Sequence, residues 1–184
     1  MSTQPPLPPL PEPDKDAIIN RLLNETSRDF LTAAYNARHF RELLNLEVAR
    51  ARRYKVPFSL LMGDIGNFKQ LKDTFGPVSG DKALKAVAKV INAFVRVTDF
   101  DCRIGEADFA IILTHTELTG ASCGERLTNR IAALQLPEEL RDVALSVTFA
   151  LAQYRPPESP DSFIRRMDDD DPDEGLLGVP VPRV

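Results

Sequence analysis

Cysteine is scarce in this sequence. Cys102 and Cys123 are the only two, and they have neither metal-ligand spacing nor the numbers of a disulfide framework. No apolar run approaches the roughly 20 residues that cross a bilayer. The N-terminus has no charged region followed by an apolar one, so no signal peptide is expected. Histidine is limited to His39 and His115, which read as surface or helix-face residues. An excess of one charge is also missing over most of the chain. The formal net charge is −4, but six of the acids lie in residues 168–174, which leaves the remainder at +2. A nearly neutral domain lacks the broad basic face that nucleic-acid binding needs. These absences argue against a disulfide-stapled secreted scaffold, a membrane span and a nucleic-acid binder. They predict a cytoplasmic protein.

What is present fits one domain with short flanking segments. The 184 residues are 43% hydrophobic, enough for one core within the usual domain size. Residues 1–13 carry six prolines, which fix φ and remove N–H donors, so an extended, disordered arm is expected. Its overlapping Pro-x-x-Pro pairs suit either a docking peptide or a plain tether. Residues 14–28 read as a helical lead, with Ile18, Ile19, Leu22 and Leu23 on one face. Such a short helix does not hold in isolation and must pack on the domain or on a second copy. The domain itself is expected over 29–167, and residues 168–184 as an acidic, disordered tail.

Within 29–167, apolar spacing predicts a helix carrying Phe40, Leu43, Leu44 and Val48, then a buried strand from Phe58 to Met62. A short helix over Phe68–Phe75 follows, closed by Gly76-Pro77, and a long helix opens at Gly80-Asp81. Two strands flank a turn at Gly105, the first within Asp99–Arg103 and the second over Asp108–Leu113. A helix over Leu118–Leu134, a strand over Val143–Ala152 and one helical turn over Ser162–Met167 complete the order. The expected fold class is α/β, a central mixed sheet flanked by helices and containing antiparallel pairing.

The stretch from Asp64 to Phe109 organises this order. An apolar run ends in a carboxylate, a long helix follows, and a tight turn with acids leads into a second apolar run. Two strands that bring acids side by side are a common way to hold a divalent metal against a nucleotide triphosphate. The wording also resembles a known family. Asp29-x-Leu31-Thr32-x-x-Tyr35-Asn36-x-Arg38, the run Leu60–Lys69, Thr74-Phe75-Gly76 with Gly80-Asp81-x-x-Leu84, and Arg103–Phe109 stand in the order of the GGDEF domains. Those are the catalytic modules of diguanylate cyclases, with a fold related to adenylate cyclases and polymerase palms. The resemblance implies that palm-type sheet, with the C-terminal part of the domain truncated or altered.

The resemblance also implies a chemistry. The family joins two GTP molecules across a dimer, with metal ions bridging the phosphates, so each half-site supplies carboxylate oxygens. By motif match Asp64 stands at the first metal-binding aspartate, and Gly66 replaces the second. In the signature turn Glu106 replaces the second glycine, Ala107 replaces the metal-binding acid, and Asp108 keeps the following acid. A glutamate adds bulk and negative charge where glycine lets phosphate approach, and alanine offers the metal no oxygen. Of the pair that reads guanine, the aspartate matches Asp81, but Lys72 stands in place of the asparagine and lacks an acceptor. The C-terminal word with its phosphate-binding lysine is missing. The expectation is a relic nucleotide site at Asp64, Lys72 and Asp81, no catalytic residues, no metal and no required cofactor.

One motif of the family is retained. Arg96-Val97-Thr98-Asp99 sits five residues before the signature turn, where many members carry an RxxD product-inhibition site. Arg96 offers a planar donor fork and Asp99 an acceptor for guanine. Arg103 adds a candidate third contact, and Arg126 and Arg130 stand on the following helix. An Arg-x-x-Asp pair is equally an ordinary surface contact worth ~0.2–0.5 kcal/mol. The resulting expectations are a cyclic di-GMP receptor that signals to a protein partner, a nucleotide-independent interaction or dimerisation module, or an enzyme with residual activity. The last is the least consistent with Gly66, Lys72, Glu106 and Ala107.

Overall fold

A computed structural model describes residues 26–116, 121–136, 138–140, 143 and 145–168. The proline arm, residues 14–25 of the helical lead and residues 169–184 of the acidic tail lie outside the described residues. The elements are β1 (Tyr35–Asn36), α1 (Ala37–Tyr54), β2 (Phe58–Ile65), α2 (Phe68–Phe75), α3 (Pro77–Phe94), β3 (Phe100–Arg103), β4 (Asp108–Thr114), α4 (Ala121–Ala132), a 3-10 turn (Glu138–Leu140), β5 (Val147–Gln153) and α5 (Pro160–Asp168). Five strands form one mixed sheet in the order β1-β3-β4-β2-β5. β1 runs parallel to β3, and the other neighbours are antiparallel.

Period-2 alternation divides the sheet between two apolar layers. Leu61 and Ile65 of β2, Phe109, Ile111 and Leu113 of β4, and Val147, Phe149 and Leu151 of β5 pack with α2, α3 and α4. Leu60, Ala110, Ile112 and Ala152 point the other way and pack with Phe40, Leu44 and Val48 of α1 and Phe163 and Met167 of α5. The central strands are covered on both faces, which is why Phe58–Met62 reads as an unbroken apolar run rather than an alternating one.

Several boundaries differ from the sequence expectation, each for a local reason. The long helix opens at Pro77, not at Gly80. Proline suits the first helical position because its missing N–H is not needed there, and Gly76 supplies the φ of 83° that precedes it. Residues 26–28 are not helical, since Arg28 bridges Tyr35. The two-residue β1 was not expected, because it has no apolar pattern of its own and exists through its pairing with Cys102 and Arg103. The final turn grows into the nine-residue α5, whose Arg166 is tied to Glu158 and to the carbonyl of Gln153.

Candidate nucleotide site

The antiparallel register sets Asp64 of β2 directly opposite Asp108 of β4, with Thr148 of β5 on the other side of Asp64. By alternation both carboxylates stand on the α1/α5 face, at the end of the sheet. Burial and the neighbouring Asp108 carboxyl push the pKa of Asp64 above its ordinary value. The turn between β3 and β4 is closed by Ile104 N–H donating to the carbonyl of Asp108 at 2.9 Å. A Cβ at Gly105 would lie 1.9 Å from Asp108 Oδ2, so that carboxylate would have to swing away to admit one. The register sets the two carboxylates side by side.

The substituted positions form a second group. Ala107 is buried in the α2–α4 layer, only 8% exposed, and its carbonyl accepts from Ile65 N–H at 3.2 Å. Gly66 N–H donates to the Ser146 carbonyl at 2.9 Å, and a Cβ at Gly66 would sit 2.6 Å from Ser146 Oγ. An aspartate at 66 therefore requires Ser146 to move. Lys72 lies across Gly80, where a Cβ would meet its Cγ at 2.7 Å. From there its ammonium reaches forward to an ion pair with Glu106. The hydrogen bond and charge of Lys72, with smaller help from Arg103 and Lys69, hold Glu106 below the usual carboxylate range. Lys72 and Glu106 thus form one contact spanning α2 and the β3–β4 turn. Asp81 stands exposed one residue beyond Gly80.

Among the described residues no group of three or more His, Cys, Asp or Glu side chains could hold a metal ion. Asp64 and Asp108 together offer oxygens for one cation beside a phosphate. Positions 66 and 107 carry no side-chain oxygen, and Glu106 is engaged by Lys72.

Arg103 is placed differently from the sequence expectation. Its Nη1 donates to both carboxylate oxygens of Asp29, at 3.2 and 3.3 Å, and its Nη2 to the Glu106 carbonyl at 2.8 Å. Asp29 in turn accepts from Thr32 N–H at 2.8 Å and Thr32 Oγ1 at 2.6 Å. Burial raises the pKa of Asp29, but the Thr32 bonds and the Arg103 charge outweigh it, and the net direction is down. Arg103 is an anchor between the opening turn and the hairpin, turned away from Arg96 by this pairing. Its Nε is buried without a partner.

Arg96 and Asp99 lie on the loop after α3. Asp99 Oδ2 accepts from Arg96 N–H at 3.1 Å, and Oδ1 from Thr114 N–H at 3.0 Å, which ties the loop to the end of β4. The Arg96 side chain is exposed, and Val97 beside it is fully exposed. On α4, the guanidinium groups of Arg126 and Arg130 each lie 5.5 Å from the centroid of Phe94 at the end of α3. Cys123 on the same helix, its thiol pushed up mainly by burial, also lies within the fields of Arg126, Asp99 and Arg96. Three arginines therefore gather at one corner of the domain. Sequence spacing named Arg126 and Arg130 as candidates, and the shared aromatic Phe94 is the signal that joins them.

The comparisons with known proteins agree with this geometry. The family model "Diguanylate cyclase, GGDEF domain" matches residues 26–170. Diguanylate cyclase DosC of Escherichia coli is 31% identical over 144 residues, covering 74% of this chain and 31% of DosC. Diguanylate cyclase DgcP of Pseudomonas aeruginosa is 37% identical over 121 residues, covering 65% of this chain and 18% of DgcP. The chain thus spans a third or less of the length of these relatives. Among solved structures, the GGDEF domain of DgcB from Caulobacter crescentus, in complex with c-di-GMP, superposes with a TM-score of 0.74 at 27% identity, covering 78% of this chain and 86% of that one. Diguanylate cyclase SiaD of Pseudomonas aeruginosa, in complex with its activator SiaC, gives 0.73 at 29% identity, covering 83% and 60%. By the family model and by superposition on solved structures, this chain belongs to the GGDEF-domain family.

Proposed function

We propose that this domain is a catalytically silent member of its family that binds cyclic di-GMP at Arg96 and Asp99 and passes its occupancy to a protein partner. The observation that carries this reading is the arginine corner. Arg96 stands beside Arg126 and Arg130, and none of the three forms an ion pair among the described residues, so a ligand with two phosphates and two guanines meets unspent donors. The complex of the DgcB relative with c-di-GMP supports the ligand class. Arg103 is not part of this site, being committed to Asp29.

Support for silence comes from the cleft. Lys72 and Glu106 neutralise each other where guanine and triphosphate are expected to run, and positions 66 and 107 offer no oxygen to a metal. The complex of the SiaD relative with its activator supports signalling by protein contact. Phe30 and Val97, exposed beside the Asp29 turn and the Arg96 loop, are apolar handles for such a contact.

A second reading, a nucleotide-independent interaction or dimerisation scaffold, is favoured by one observation. Both oxygens of Asp99 already accept backbone N–H groups, so the motif has a structural duty without a ligand. Calorimetry separates the two readings. Cyclic di-GMP is expected to bind at micromolar Kd or tighter, and Arg96→Ala to weaken binding by about 10- to 100-fold, the worth of a charge-assisted hydrogen bond of ~1.5–3 kcal/mol. No heat with cyclic di-GMP supports the scaffold. Binding of GTP with magnesium in its place overturns the silence of the cleft.

A further inference from the structure

The helix α3 carries two apolar stripes. Ala83, Leu84, Val87, Ala88 and Ile91 form the first, which is buried in the core. Ala86, Val90 and Ala93 form the second, at i, i+4 and i+7 along the flank of the helix. Ala86 and Val90 are half-buried and Ala93 is exposed, so no described element covers this stripe. The small side chains at 86 and 93 leave room above it.

The opposite wall comes from the chain just past α4. Leu134 N–H donates to the Ile131 carbonyl at 3.0 Å in the turn that ends that helix. Leu134 and Leu136 then stand across from the α3 stripe, and a groove of about 750 Å³ lies between them. That volume is in the range of about 300–1,000 Å³ found for small-molecule sites, which are mostly apolar with a few polar groups. Val90 and Leu136 also touch the margin of the core, so the floor of the groove rests on rigid packing.

Charge at the groove has a single sign. Lys89 and Arg130 line it together with the amide of Gln135, and no carboxylate lines it among the described residues. Neither cation forms an ion pair among the described residues. The Arg130 guanidinium lies 5.5 Å from the centroid of Phe94, a contact that places it without using its N–H donors. An apolar floor with two cations and no anion at its rim is complementary to an apolar body with an anionic head. The floor is also short. Ala86 to Ala93 is about 10 Å at ~1.5 Å per residue, two helical turns. A protein interface of ordinary size buries over ~1,000 Å², more than two turns of small side chains supply.

We propose that the groove between α3 and Leu134–Leu136 binds a carboxylate-headed apolar molecule of the fatty-acid class. Its chain lies on Ala86, Val90 and Ala93, and its carboxylate meets Lys89 and Arg130. The inference does not rest on cyclic di-GMP binding. Arg130 borders both the groove and the arginine corner, whereas Lys89 belongs to the groove alone.

Calorimetric titration of the full 184-residue protein with octanoate, decanoate and dodecanoate, all below micelle-forming concentrations, tests it. Affinity is expected to rise about 2- to 4-fold per added methylene as more of the chain leaves water. Dodecylammonium, with the same chain and the opposite head, is expected to bind at least ~10-fold more weakly than dodecanoate. Lys89→Glu should weaken dodecanoate by about 10-fold or more, while Lys89→Arg keeps it within ~3-fold. Ala93→Trp, which fills the groove from an exposed position, should abolish binding with Tm unchanged. Cyclic di-GMP titrated into Lys89→Glu should behave as with the unaltered protein, which separates this proposal from the reading of the corner. No heat with any of the three carboxylates overturns the proposal. So does dodecylammonium binding as tightly as dodecanoate, which would make the groove a general apolar surface. Dodecanoate binding that neither Lys89→Glu nor Ala93→Trp changes also overturns it, because the ligand then sits elsewhere.

Discussion

The cleft at the β3–β4 turn and the corner between α3 and α4 are both rich in charge, and they use it in opposite ways. In the cleft two cations have found their anions within the domain. Lys72 is paired with Glu106, and Arg103 with Asp29. At the corner, Arg126 and Arg130 lie over Phe94, Arg96 and Arg126 act on Cys123, and the Asp99 carboxylate accepts backbone donors. A charge neutralised inside the fold has little left to offer a ligand, whereas an exposed guanidinium over an aromatic ring remains a donor. On the reading proposed above, the difference would put ligand binding at the corner rather than in the cleft.

The hardest way to strain the comparison is to free Arg103 on the cleft side. Asp29 and Arg103 are 15% and 13% exposed, so Asp29→Ala leaves a nearly buried guanidinium with half its partners. The expected loss is about 2–4 kcal/mol by urea denaturation, toward the lower end of what breaking a buried pair costs. Because the folded pKa of Asp29 is depressed, its contribution is full above the unfolded value and is lost as pH falls through the folded one. The gap between the unaltered protein and Asp29→Ala should therefore narrow on acidification below about pH 4. A gap that stays constant to pH 2 contradicts the ion-pair assignment.

On the corner side the expected effect is smaller and of another kind. Arg126→Ala should weaken cyclic di-GMP by about 5- to 30-fold, one partly exposed charged contact, while changing stability by less than ~0.5 kcal/mol. Loss of stability without loss of affinity would make Arg126 a packing residue on Phe94 and remove it from the site.

How far the sequence leads differs between the same two regions. The layers, the hairpin and the run Phe58–Met62 are legible because alternation and helical spacing record burial directly. Leu61, Ile111 and Phe149 belong to one face by counting alone. The cleft is harder to read. Nothing in the spacing of Lys72 and Glu106, 34 residues apart, marks them as partners. Their contact depends on α2 and the hairpin meeting in space. Arg103 looked free for a ligand because its partner Asp29 lies 74 residues earlier, across a β1 strand too short to register. Ala33 is a further case. Nothing in the sequence marks its φ of 61°, a left-handed conformation held by an alanine at a strain of ~1–2 kcal/mol.

The smallest effect tests whether Asp64 belongs to the neutralised side at all, since it faces the like charge of Asp108. Burial and Asp108 raise its folded pKa above the unfolded value. The native state then binds a proton more readily than the unfolded chain, so this group's contribution declines as pH rises through that window and remains unfavourable above it. Asp64→Asn removes the repulsion and keeps a hydrogen-bonding amide opposite Asp108. At pH 7 it should raise stability by no more than ~0.5 kcal/mol after allowance for solvent, or about 1–2 °C in Tm. The gain should shrink as pH falls, because protonation of Asp64 removes the repulsion. Cyclic di-GMP affinity should not change. A Tm lowered equally at both pH values would mean that the carboxylate is held by favourable bonds, and the cleft would then contain no unbalanced charge.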